Sequence, residues 1–116
     1  MKRGDVVLVD WPFSGGGSSK IRPALIIQND RDNGRLTNTV LAMITSFTRR
    51  APEPTQLLIE ISRPEGIQTG LRQDSVVNCV NLFTVEQTKV LRVIGFLAPS
   101  LMQKIDECLK TALDLR

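Results

Sequence analysis

Short apolar runs separated by clusters of turn-forming residues dominate the chain. Val6-Val7-Leu8-Val9, followed by Asp10 and Trp11, is rich in β-branched residues and predicts a first strand. Pro12-Phe13-Ser14-Gly15-Gly16-Gly17-Ser18-Ser19 breaks it into a loop. Ala24-Leu25-Ile26-Ile27-Gln28 is a continuous apolar run too short for a typical helix, which predicts a buried strand. Asn29-Asp30-Arg31-Asp32-Asn33-Gly34 is dense in turn formers, and Asn33-Gly34 suits a tight turn with positive φ. Further strands are expected over residues 39–45, 57–61, 75–80 and 90–97, with one helical turn over 84–88. The C-terminal segment changes period. Leu101, Ile105, Cys108/Leu109 and Ala112/Leu113 recur at helical spacing behind a capping-box pattern at Ser100-Leu101-Met102-Gln103, with Pro99 ending the preceding strand. Five or six short strands and one terminal helix predict a mainly β, α+β fold: a small, strongly curved barrel.

Length and composition restrict what this fold can do. The 116 residues make a single domain over 1–116, large enough for one core. No apolar run reaches the ~18–20 residues of a membrane helix, and Met1-Lys2-Arg3-Gly4-Asp5 leads directly into the first strand without a signal-peptide core. A cytoplasmic location and no membrane partner are the expectations. The chain has no His, so a Ser-His-Asp triad, a Cys-His pair and a His-ligated metal are all excluded. Cys79 and Cys108 read as small buried hydrophobes, and no metal or other cofactor is expected. The net charge of +3 is uneven. Residues 1–58 hold eight Lys/Arg against five Asp/Glu, whereas residues 59–116 hold seven of each. The N-terminal loops therefore accommodate an acidic partner more easily.

Candidate chemistry gathers at two junctions. Gly15-Gly16-Gly17-Ser18-Ser19-Lys20 lacks the Lys-Ser/Thr ending of a phosphate-binding P-loop, because Ile21 follows Lys20. Its backbone amides and Lys20 can still approach phosphate, or it is an ordinary linker. Arg22 precedes Pro23, which biases it to an extended conformation and gives its guanidinium a rigid mount. Arg22 either forks onto phosphate oxygens or pairs with a surface carboxylate. Thr45-Ser46 ends the third strand, and Phe47-Thr48-Arg49-Arg50 follows. Two hydroxyls, an aromatic ring and two cations suit a single-stranded nucleic acid; a solvated basic loop with Phe47 in the core is the other reading.

Together these residues resemble the PemK/MazF toxin family of bacterial toxin–antitoxin systems. The likeness rests on Arg3-Gly4-Asp5-Val6 opening a strand, the Gly/Ser loop, Arg22-Pro23-Ala24-Leu25-Ile26-Ile27-Gln28-Asn29-Asp30 and Ala42-Met43-Ile44-Thr45-Ser46. Gly95-Phe96-Leu97 and the terminal helix also fit. The resemblance implies an SH3-like barrel of the CcdB/PemK/MazF type and a homodimer. It also implies a metal-independent, sequence-selective endoribonuclease acting on single-stranded RNA, and a cognate antitoxin that blocks the RNA groove. By position it implies Arg22 and Thr45 as catalytic residues. Ser18, Ser19, Lys20, Pro23, Ser46, Phe47, Thr48, Arg49, Arg50, Asn78 and Asn81 are then the candidate RNA contacts. On the fifth strand, Asn78 and Val80 stand where some relatives hold Arg and Asp for proton transfer. Asn81 and Phe83 stand where others carry Gln and Arg, and the loop before Arg22 lacks the Glu of many relatives. Two other readings remain: a toxin of the same barrel type acting on a protein such as DNA gyrase, and a catalytically weakened relative that binds antitoxin.

Overall fold

Strand β1 (Asp5–Trp11) is the spine of a six-stranded antiparallel sheet in the computed structural model, which describes residues 1–11 and 20–116. The strand order is β4 (Gln56–Ile59), β5 (Ser75–Glu86), β3 (Asn38–Thr45), β2 (Lys20–Ile26), β1, β6 (Val90–Phe96). Helices α1 (Asp30–Arg35), α2 (Pro64–Ile67) and α3 (Pro99–Leu113) complete the chain. This is the expected mainly β architecture with a C-terminal helix.

The continuous apolar runs are explained by burial on both faces of the sheet. Successive side chains of a strand point to opposite faces. Val6, Leu25, Ala42 and Ile44 enter one core with Ile105 and Cys108 of α3. Val7, Val9, Ala24, Ile26, Leu41 and Met43 enter a second core closed by Trp11 and Val85. Trp11 meets Phe83 edge to face, with ring centroids 4.4 Å apart. The two sheet edges are joined by the segment between β4 and β5, where the Phe96 N–H donates to the Gln68 carbonyl at 3.0 Å. Gly95 lets the backbone at Gln68 and Thr69 approach β6 this closely.

The chain's opening residues tie three elements together. Gly4 adopts φ +96°, which favours glycine, and turns the chain into β1. Arg3 then donates to the Ile27 carbonyl at 2.9 Å and to Asp106 of α3 at 2.7 Å.

Several expected boundaries move. Residues 29–34 form no tight turn. Asn29 caps α1 by accepting from the Asp32 N–H at 2.9 Å, and Gly34 lies inside the helix without positive φ. The same Asn and Asp residues that favour turns also satisfy free N–H groups at a helix start. Hydrogen bonds from Asn29, and then from Arg35, hold the Asp32 carboxyl below its usual range. A polar network secures this corner: the Asn33 amide oxygen accepts from Gln28 at 2.9 Å and from the buried Thr39 hydroxyl at 2.7 Å. Strand β2 starts at Lys20 rather than Ala24, β4 ends at Ile59, and α2 has no counterpart among the expected elements.

Strand β5 runs on to Glu86, so only Gln87–Lys89 makes the expected helical turn, as a 3₁₀ turn. A bulge carries the extension, because Met43 pairs with Asn78 while the adjacent Ala42 pairs with Leu82. Ser100 does not cap α3. The N-cap is Ala98, and Pro99 occupies the first turn, where its missing N–H costs nothing. Pro99 therefore starts the helix as well as ending the strand. The expected loop over residues 12–19 lies outside the described residues. No helix among the described residues is long and apolar enough to cross a membrane.

Candidate nucleic-acid site

Strands β2 and β3 pair only through Ala24↔Met43, Leu25↔Ala42 and Ile26↔Leu41. Before Ala24 comes Pro23, which has no N–H to give to a ladder, and there β2 parts from β3 while still pairing with β1. A cavity of about 640 Å³ occupies the parting. Its walls are residues 21–23 of β2, 44–46 of β3, 70–73 and Ser75 before and in β5, and 92–94 of β6. Arg22 and Thr45 thus line one cavity. Each lies two residues beyond the last paired positions, Ala24 and Met43, on either side of the parting.

Each side chain is held differently. Arg22 is exposed and has no carboxylate partner among the described residues, so the surface ion pair that was its other reading does not form. Thr45 is half-buried, and its Oγ1 accepts the Phe47 N–H at 3.1 Å. That contact orients the oxygen and leaves the hydroxyl proton for an acceptor in the cavity. Pro23 and Ser46 complete this side of the wall. Phe47 is 58% exposed, so it is not a core residue. Thr48, Arg49 and Arg50 are exposed in the turn after Phe47, and Arg50 sits 3.7 Å from Glu53. Lys20 is exposed at the start of β2, across from Trp11. Ser18 and Ser19 lie outside the described residues.

Asn78 and Asn81 are not brought to this cavity. The Asn78 side-chain oxygen accepts from Gln56 at 2.9 Å and from the Val80 N–H at 3.0 Å, which fastens the bulge. Asn81 and Val80 protrude from the bulge, and Val80 is 65% exposed.

Other wall residues escaped sequence reasoning. Arg72 and Gln73 belong to a polar stretch before β5 that carries no motif. The buried Thr69 hydroxyl anchors it, donating to the Gly66 carbonyl at 2.6 Å and accepting the Leu71 N–H at 3.2 Å. Arg92 did leave a signal, as a single cation inside the apolar run Val90-Leu91-Arg92-Val93-Ile94. Among the described residues, three guanidiniums and three hydroxyl side chains therefore line the cavity, and no carboxylate does. Among the described residues, no three His, Cys, Asp or Glu side chains are grouped as metal ligands. The cysteines lie in the core, Cys79 on β5 and Cys108 on α3. Burial, and then the neighbouring Cys108, pushes the Cys79 thiol up to about 12, so it is no nucleophile near neutral pH.

A cavity lined by cations and hydroxyls suits a phosphodiester, and comparison with known proteins points the same way. Residues 2–113 match the family of PemK-like, MazF-like toxins of type II toxin–antitoxin systems. The chain is 33% identical over 116 residues to endoribonuclease EndoA of Bacillus subtilis strain 168, covering 99% of this chain and 96% of that protein. Among solved structures it is similar to the Mycobacterium tuberculosis toxin MazF-mt6, with a TM-score of 0.79, 28% identity, and 97% and 98% of the two chains covered. It is equally similar to an endoribonuclease in complex with its cognate antitoxin from a mycobacterial species, with a TM-score of 0.79, 27% identity, and coverage of 100% and 97%.

Proposed function

We propose that this chain, which belongs to the PemK-like, MazF-like toxins of type II toxin–antitoxin systems, is a cytoplasmic endoribonuclease that cleaves single-stranded RNA without a metal. The observation that carries this reading is the meeting of the Arg22 guanidinium and the Thr45 hydroxyl on one cavity free of carboxylates. The 2′-hydroxyl of the nucleotide before the scissile bond attacks phosphorus, and the 5′-oxygen leaves. The products are a 2′,3′-cyclic phosphate and a 5′-hydroxyl end, and DNA, lacking the nucleophile, is not cut. Arg22 forks onto the non-bridging oxygens and offsets the charge that builds there in the transition state. Thr45 donates its hydroxyl proton to the same phosphate, held in place by the Phe47 N–H. With no ionisable base on the cavity wall, water takes the 2′-hydroxyl proton and returns one to the leaving oxygen.

A homodimer extends the groove over several nucleotides, with Lys20, Ile21 and residues 46–54 along it. Phe47 supplies a stacking face, and Lys20 and Arg49 supply charge. The acidic tail of a cognate antitoxin occupies the same groove and folds as it binds.

The test is incubation of purified protein with a long single-stranded RNA in EDTA, followed by mapping of the ends. Cleavage should persist in EDTA, vanish in Arg22→Ala, and recover little in Arg22→Lys, because an ammonium lacks the bidentate fork. Dependence on a divalent ion, or full activity of Arg22→Lys, would refute the mechanism. If RNA stays intact while DNA gyrase supercoiling is blocked, the protein-target reading takes its place. Intact RNA with antitoxin binding alone means a weakened relative.

A further inference from the structure

The walls of the cavity carry more cations than one scissile phosphate requires. Arg22 comes from β2, Arg72 from the segment before β5, and Arg92 from β6, three places far apart in the chain. Arg92 is paired with Leu8 of β1, which on its other side is paired with Pro23 of β2. Directly opposite residues share a face of the sheet, so Arg92 and Pro23 look the same way, two strand spacings or ~10 Å apart. Arg22 adjoins Pro23 and so leaves from the opposite face of its strand, which makes Arg22 and Arg92 approach the cavity from different sides.

Arg3, Arg35, Arg50 and Arg63 pair with Asp106, Asp32, Glu53 and Glu60, whereas Arg31, Arg49 and Arg116, off the cavity, pair with no carboxylate among the described residues. Arg22, Arg72 and Arg92 have no such carboxylate among the described residues. Cations converging on one cavity repel one another, and a polyanion threaded between them relieves that repulsion. Arg72 is held by the Thr69-anchored loop, so the guanidiniums of Arg72 and Arg92 both project from well-defined backbone.

We propose that Arg92, assisted by Arg72, forms a second phosphate subsite that binds an RNA phosphodiester flanking the scissile one. This rests on the reading of the cavity as the RNA site. Arg92 is a binding residue for the backbone and reads no base, so it sets affinity and leaves both the chemical step and the sequence preference to other groups.

The experiment measures cleavage kinetics for wild type, Arg92→Gln and Arg72→Gln. In parallel, it measures binding of an RNA carrying a single 2′-deoxy nucleotide at the cleavage position, between 50 and 200 mM salt. Arg92→Gln should raise KM and the dissociation constant roughly five- to tenfold, with kcat within about twofold of wild type and the cleavage sites unchanged. The slope of log affinity against log salt should fall by ~0.7, the share of one phosphate contact on a single strand. Arg92→Lys should retain the salt slope while losing part of the affinity, and it serves if the Gln variant does not fold. Unchanged affinity and salt slope in a folded Arg92→Gln would overturn the subsite. So would a loss confined to kcat, or weakened binding of an acidic peptide with RNA affinity intact. If wild type binds the deoxy-substituted RNA through Arg92 yet cuts no RNA, the subsite stands and the nuclease reading fails.

Discussion

Replacing Gly95 with Ala should destabilise the protein by roughly 2–4 kcal/mol, while the same change at Gly34 should stabilise it. A Cβ on Gly95 would meet the Gln68 carbonyl oxygen and the Thr69 carbonyl group, all of it backbone. These contacts would be about 1 Å or more inside the ~3.5–4.0 Å of a favourable pair, and no rotamer change can relieve them. Overpacking of this kind costs ~1–3 kcal/mol. The displaced segment would also weaken the Phe96 N–H to Gln68 bond, worth about 1 kcal/mol net. At roughly 4 °C per kcal/mol for a domain of this size, the Tm should fall by ~8–16 °C. Gly34 has nothing within 4 Å of its would-be Cβ and lies in α1 without positive φ. Ala there should add ~0.5–1 kcal/mol, or ~2–4 °C. Thermal melts at one fixed protein concentration, followed by near- and far-ultraviolet circular dichroism, measure both. A Gly95→Ala midpoint within ~2 °C of wild type would refute the close approach at β6. A lowered midpoint for Gly34→Ala would mean that residues 29–34 form a positive-φ turn after all.

Alkaline stability follows from Cys79, whose thiol is raised from 9.0 to about 12 in the folded chain, by burial and then by Cys108. The unfolded chain releases this proton above about pH 9 and the folded chain holds it to about pH 12, so stability should fall by up to ~1.4 kcal/mol per pH unit between them. Urea midpoints against pH should show a shallower decline in Cys79→Ala, and identical slopes would contradict the buried thiol. Val80→Asp, on the exposed bulge and off the cavity wall, should leave the Tm within a few degrees and the pH–rate profile unaltered; a faster or pH-shifted rate would route the RNA over the bulge. Arg3→Ala removes the bonds to Ile27 and Asp106 and should cost roughly 1–2 kcal/mol by urea denaturation, against no change if α3 docks without them.

Local chemistry was enough to determine most of the strands, the terminal helix and half of the site. Val6-Val7-Leu8-Val9 and Ala24-Leu25-Ile26 announce strands because β-branched and continuous apolar residues suit a sheet buried on both faces. Arg22-Pro23 and Thr45-Ser46 were legible because each marks a junction of polar and apolar chain. Only the tertiary structure decided the rest. Asn29 and Asp32 serve turns and helix starts equally, and the Gln28, Asn33 and Thr39 network, made by residues from different elements, selects the helix. The bulge at Asn78 is held in part by the bond from Gln56 on β4, which no pattern within β5 records. Arg92 and Arg72 join the site through strand order and the closure at Gly95, since residues 20 and 70 positions apart in sequence become neighbours only when β6 pairs with β1. Sequence pattern carries the interactions within one element, and the cavity is made of interactions between elements.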